Sequence, residues 1–139
     1  MILTDTGYWL ALENSNDHFH QRAIDVTQTI NTELFITWPV ITETCHLLNN
    51  RIGSRAPIKF LQQIEQSAHL FELTTDHLSR ARILMEKYKN LPMDMADASL
   101  VIAAEDLQSG DILSTDMRDF QAYRWKNHYP FNNLLLYDH

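Results

Sequence analysis

A single cysteine, Cys45, stands among 139 residues, so no internal disulfide can staple this chain and its fold must rest on a packed interior. Glycine and proline are scarce as well, three and four residues respectively. With no Ser/Gly-rich, Pro-rich or single-letter tract and no repeat of solenoid period, the chain offers no material for a linker, a disordered tail or a repeat array. No apolar run approaches the roughly 18 residues that a membrane-crossing helix needs, and no basic-then-apolar leader opens the chain. A lone thiol and no leader lead us to expect a cytoplasmic protein without membrane attachment. Positive charge is short too. Eleven Lys and Arg against 18 Asp and Glu leave a net charge of −7, which excludes a broad basic face for gripping phosphate backbones. Either the partner is not nucleic acid, or several acids are gathered where bound cations reverse the local sign.

What the chain does contain is apolar residues in periodic order. At 45% hydrophobic content it can bury a core of ordinary density, and its length fits one domain spanning residues 1–139. The exception to that order is residues 91–104, LPMDMADASLVIAA, which place acid among hydrocarbon. At helical period the apolar stripe runs through Leu100, Val101 and Ala104, and Asp97 lies three and four residues before the first two, on the buried face. Pro92 and Asp94 form a helix start, with Asp94 as N-cap and Asp97 at the third helical position. Two readings fit this stretch alone: a cap with its first-turn acid, or two carboxylates crowding one functional helix entrance.

In chain order, Ile2 to Thr4 is a short apolar run that ends at Asp5-Thr6-Gly7, and residues 8–12 are apolar again. This reads as a first strand closing in an acid at its carboxyl end, or as turn chemistry alone. Asn16 or Asp17 then caps a helix with Phe19, Ala23, Val26 and Ile30 inward. His18 and His20, two apart, point to different sides and do not make a metal pair. Residues 34–38 are a second strand, and Pro39 opens a helix to about residue 50 with Val40, Thr44, Leu47 and Leu48 as its packing stripe. Glu43 flanks that stripe in what reads as the first turn. Cys45 reads as core filler.

Gly53 ends that helix and Ser54 caps another, carrying Phe60, Leu61 and Ile64. Arg51, Arg55 and Lys59 give this region a local positive excess, either a solvated face or a rest for a phosphodiester backbone. Residues 69–73 are a third strand, and Thr75 caps a helix with Leu78, Ala81, Met85 and Tyr88 inward. After the helix that begins near Asp94, residues 112–116 repeat the grammar of the amino terminus: apolar strand, hydroxyl, acid. Asp119, three residues beyond Asp116, shares its surroundings if the chain turns helically there. Tyr123, Arg124, Trp125, Lys126 and Tyr129 mix aromatic and basic side chains, for stacking on nucleic acid or for edge packing. A last strand is expected at residues 134–137.

Strands alternating with helices imply a layered α/β domain with a mostly parallel central sheet, whose strand ends and helix starts converge on one edge. Asp5 and Asp116 come from strand ends, Glu43 and Asp97 from helices. Four ionised carboxylates packed together repel, so such a cluster calls for a divalent cation, and an all-oxygen set suits Mg²⁺ or Mn²⁺ over zinc. In-line phosphoryl displacement is the chemistry that this kind of site performs best.

The set Asp5-Thr6-Gly7, Ile41-Thr42-Glu43, Leu91-Pro92-Met93-Asp94-Met95-Ala96-Asp97-Ala98, and Ser114-Thr115-Asp116 with Asp119-Phe120 resembles the PIN-domain family, and within it the VapC-type ribonuclease toxins of toxin–antitoxin pairs. The resemblance spans essentially the whole chain. It implies a PIN-like, Rossmann-like three-layer sandwich and a Mg²⁺- or Mn²⁺-dependent endoribonuclease in which Asp5, Glu43, Asp97 and Asp116 are both metal ligands and catalytic residues. Asp5 and Asp97 would be direct ligands, Thr6 would assist, and Asp94 and Asp119 would be acidic neighbours. It further implies an RNA substrate, a homodimer and a cognate antitoxin. Gly7 departs from the pattern, since many relatives carry Ser or Asn there. No Ser-His or Cys-His couple and no Gly-rich phosphate loop competes. The alternatives are a catalytically silent PIN-like module that binds RNA or protein, and a phosphotransfer receiver. The receiver wants a Lys on the last strand, and residues 134–137 contain none.

Overall fold

The computed structural model describes residues 1–136. The first half runs β1 (Ile2–Thr4), α1 (Thr6–Glu13), α2 (His20–Thr29), β2 (Leu34–Thr37), α3 (Trp38–Arg51), α4 (Arg55–Ser67) and β3 (His69–Phe71). The second half runs α5 (His77–Lys87), α6 (Met95–Leu107), β4 (Asp111–Leu113), α7 (Met117–Ala122), β5 (Arg124–Trp125), β6 (Tyr129–Pro130) and β7 (Asn132–Asn133). All three residues of β1 are buried, as a strand covered on both faces requires, and β1 lies at the centre of a five-stranded sheet ordered β3-β2-β1-β4-β7. Every pairing in that sheet is parallel, with Ile2 opposite Leu34 on one side of β1 and Leu3 opposite Ile112 on the other. Helices flank the sheet, giving the expected α/β three-layer sandwich, and β5 and β6 form a separate antiparallel ribbon. Because strand order turns around at β1, the crevice of the sheet opens between the carboxyl ends of β1 and β4, where Asp5 and Asp116 follow their strands.

The two most buried helices are the ones least readable by period. In α1, Thr6, Tyr8, Trp9, Leu10 and Ala11 are all buried, so no polar stripe interrupts the run. The apolar residues 8–12 are therefore helix directly after the strand, started by Asp5, whose side chain accepts the Thr6 N–H. Helix α6 is buried from Ala98 through Ala104 and is tied to the sheet by a hydroxyl pair, Thr37 Oγ1 to Ser99 Oγ at 2.7 Å. That bond joins the end of β2 to the turn of α6 that carries Asp97.

Several boundaries differ from expectation. Trp38 belongs to α3 rather than β2, which makes Glu43 the sixth helical residue and puts it in the second turn, not the first. In α5, Leu78 is 71% exposed while Ala81 and Leu84 are buried. The cause is His77: its Nδ1 accepts the Thr74 N–H and its Nε2 meets Asp106 Oδ2 at 2.8 Å, docking the helix start on α6 and turning the next residue outward. Thr75 is not the cap. The last strand falls at Asn132–Asn133, Leu134 to Leu136 form a turn, and Tyr137 lies outside the described residues.

Asn133 explains that shift. Its Nδ2 donates to the Ser114 carbonyl (2.9 Å) and its Oδ1 accepts from Ser114 N (3.3 Å) and Leu135 N (3.1 Å). A buried side-chain amide thus continues the β4–β7 ladder past its last backbone pair. Asn133→Ala strands these backbone groups without water, and unfolding in urea is expected to show a loss of about 1–3 kcal/mol.

Candidate active site

All four acids singled out in the sequence, Asp5, Glu43, Asp97 and Asp116, line one hollow of about 340 Å³ at the carboxyl edge of the sheet, together with Thr6, Asp94 and Asp119. Leu47, Leu91 and Pro92 supply its apolar wall. Four separate elements deliver these side chains. Asp5 follows β1, Asp116 follows β4, Asp97 sits in the first turn of α6, and Glu43 projects from α3.

Three of these carboxylates are held by local backbone. Asp5 Oδ1 accepts the Thr6 N–H at 2.7 Å, Asp94 Oδ1 accepts the Asp97 N–H at 2.8 Å, and Asp116 Oδ1 accepts the Asp119 N–H at 3.0 Å. Three acids of the hollow therefore serve as helix N-caps, and partial positive charge from helix ends offsets some of their repulsion. Ser114, fully buried, links two of them: its hydroxyl donates to Asp5 Oδ2 at 2.7 Å and accepts the Asp116 N–H at 2.9 Å. Asp97 Oδ2 accepts from the Tyr123 hydroxyl at 2.9 Å. The sequence shows Ser114 only as part of a strand-end pattern and Tyr123 only as one of an aromatic group, because contacts 109 and 26 residues apart leave no local trace.

Gly7 borders the hollow against Thr115, and a Cβ at position 7 would overlap Thr115 Oγ1. In this chain the neighbouring Thr115 hydroxyl occupies the space a side chain at position 7 would take.

Electrostatics follow from burial and crowding. Burial pushes Asp97 up to about 8, with the nearby carboxylates of Asp5, Asp94 and Asp116 adding to the rise and the Tyr123 hydrogen bond opposing it. Asp5 is pushed up to about 6, mainly by burial, against the hydrogen bonds from Ser114 and Thr6. Burial also raises Asp119, with Asp116 adding to the effect. Thr6 Oγ1 is buried with no hydrogen-bond partner.

The donor set is all oxygen, and two of its acids lie well above the ordinary carboxylate range, so a hard divalent cation fits its chemistry. Among the described residues no three Asp, Glu, His or Cys side chains already stand close enough together to hold one ion.

The other candidates lie elsewhere. Arg55 and Lys59 line a separate hollow with Glu13, the last residue of α1, whereas Asp5 caps the first. The eight-residue helix between them is about 12 Å long, so this basic group does not border the acids. Most of the aromatic and basic stretch packs at the edge of the domain, with Lys126 and Tyr129 exposed. Tyr123 is buried, Arg124 Nη1 donates to the carbonyls of Gln121 and Tyr123, and Trp125 lies over Gly110 and against Tyr129.

A family profile described as PIN domain matches residues 2–126. Ribonuclease VapC26 of Mycobacterium tuberculosis is 24% identical over 124 residues, 88% of this chain and 92% of that relative. A crystal structure of Mycobacterium tuberculosis VapC20, described as a Sarcin-Ricin loop cleaving toxin, superposes with a TM-score of 0.78 at 21% identity, covering 84% of this chain and 90% of that one.

A raised carboxylate pKa fixes a sign. Folded Asp97 keeps its proton up to about pH 8, while the unfolded chain gives it up near the ordinary 3.8, so stability falls as pH rises through that window. In chelator, Asp97→Asn, which cannot charge, is expected to melt several degrees above the parent at pH 8 and to converge on it in acid, as followed by thermal denaturation.

Proposed function

The chain belongs to the PIN-domain family, and from that premise we propose that it is a metal-dependent endoribonuclease of the VapC type, the toxin of a type II toxin–antitoxin pair. The observation that carries this reading is the meeting of Asp5, Glu43, Asp97 and Asp116 from four separate elements around one hollow. The ribonuclease named among its relatives supports it over most of the chain.

Asp5, Glu43, Asp97 and Asp116 would hold Mg²⁺ or Mn²⁺, with Asp5 and Asp97 as direct ligands and the other two completing the shell directly or through water. The ion would lower the pKa of a bound water and stabilise charge developing on the phosphate oxygens. The protein's own groups prepare that chemistry. Ser114 and the Thr6 amide occupy Asp5 on both oxygens and fix its orientation. One carboxylate of the set would orient the attacking water and accept its proton, and Glu43 lines the hollow half-buried. The unpartnered Thr6 hydroxyl is a ready donor to substrate or water.

The substrate is RNA, approached without a basic face, since charge reversal is confined to the hollow. The chain acts as a single nuclease domain in the cytoplasm, where Cys45 stays a free, half-buried thiol. Among the described residues no helix is long and apolar enough to cross a membrane. A homodimer and a cognate antitoxin complete the reading. Exposed Trp38, Leu61 and Leu70 wall an apolar groove of about 380 Å³ that gives a protein partner surface to cover.

One observation favours a second reading. Among the described residues no three acids stand at the spacing of one ion, as expected of a module that binds RNA or protein without cutting it. Mn²⁺ titrated into the free protein separates the two, because thermal stabilisation at millimolar ion belongs to the nuclease alone. For the nuclease, Asp97→Asn is expected to cut RNA more than about 100-fold more slowly in Mg²⁺, a loss that removal of even an outer partner of a metal ligand can reach. A folded Asp97→Asn protein that cuts at the parental rate would remove the mechanism.

A further inference from the structure

Asp97 is gripped from outside the acid cluster. The Tyr123 hydroxyl that donates to its Oδ2 belongs to a side chain with no exposed surface, wedged edge-on between Tyr88 and Phe120 at ring separations of 5.0 and 5.1 Å. Tyr88 does more than pack. Its hydroxyl accepts the Arg124 N–H at 3.0 Å, pinning the backbone one residue past Tyr123, and Arg124 in turn closes the carbonyl end of α7. The other end of α7 is Asp116, which caps it through the Asp119 N–H. One six-residue helix thus carries Asp116 at its start, while the residue at its close reaches across to the acid of α6. The rings around Tyr123 would hold a phenylalanine equally well, so the hydroxyl is not there for packing.

We infer that Tyr123 is a positioning residue. It takes Oδ2 of Asp97, leaves Oδ1 as a single donor toward the hollow, and sets the spacing between the carboxylates of α6 and α7. Without the latch, the Asp97 carboxylate is free to rotate about its Cβ–Cγ bond, and the cluster loses a preorganised ligand. This rests on the metal-dependent reading above and deepens it, naming what fixes one of its ligands.

The test is Mn²⁺ binding to the metal-free protein, followed by the electron paramagnetic resonance of the free ion. Tyr123→Phe keeps the ring and deletes only the hydroxyl. The Mn²⁺ dissociation constant is expected to rise about 10-fold or more, while the melting temperature in chelator falls by no more than the loss of one buried hydrogen bond brings. Phe120→Leu loosens the same aromatic cluster without touching the hydroxyl, and it is expected to lower the melting temperature yet hold Mn²⁺ within about 2-fold of the parent. Parental affinity in Tyr123→Phe overturns the positioning role and leaves the nuclease reading standing. Equal weakening in Phe120→Leu also overturns it, by showing that packing is the cause. A parent that binds no Mn²⁺ at millimolar ion takes both readings down together.

Discussion

Repulsion among buried carboxylates is the constraint around which this molecule is arranged. Asp5 and Asp97 both lie far above the ordinary range because burial and their acidic neighbours disfavour charge there. The fold tolerates the cluster by putting the amino ends of helices against it. α1, α6 and α7 each begin on one of its acids, and a backbone N–H answers a carboxylate oxygen at every one. A parallel sheet makes this arrangement possible, because only parallel strands bring successive strand ends and helix starts to the same edge. The same geometry that uses carboxylates as caps sets those acids around a common hollow.

The clamp on Ser114 shows how far the surroundings go to keep that edge in register. Asn133 holds its backbone on both sides, and its hydroxyl then joins Asp5 to the amide of Asp116. Two short strands, two residues at β7 and three at β4, are thereby locked by side chains where the ladder runs out. Stability and site geometry share the same atoms here.

Legibility tracked the range of the interaction. Asp94 and Asp97 were readable as cap and third helical residue because the bond between them spans three positions. Asp119 was readable beside Asp116 for the same reason. The alternating elements and the parallel sheet followed from short apolar runs separated by helical periods. Helix α1 was hidden because burial on nearly every side erased its stripe, and Glu43 shifted by a turn's fraction because Trp38 left the strand for the helix. Tyr123 and Asn133 were illegible as site-building residues, since each acts on a partner brought near only by the finished fold. Charge composition left one question open. Arg51, Arg55 and Lys59 could be a solvated face or a substrate rest, and Arg55 and Lys59 open on a hollow at the far end of α1.

The contact between Gly7 and Thr115 has a bearing on how sequence drift can proceed in this chain. The two residues stand 108 positions apart, yet a side chain at position 7 would compete with Thr115 for one volume. A side chain arriving at position 7 requires the Thr115 hydroxyl to turn away or the residue at 115 to shrink. Substitutions at these two sites are therefore coupled through a shared volume beside the acids.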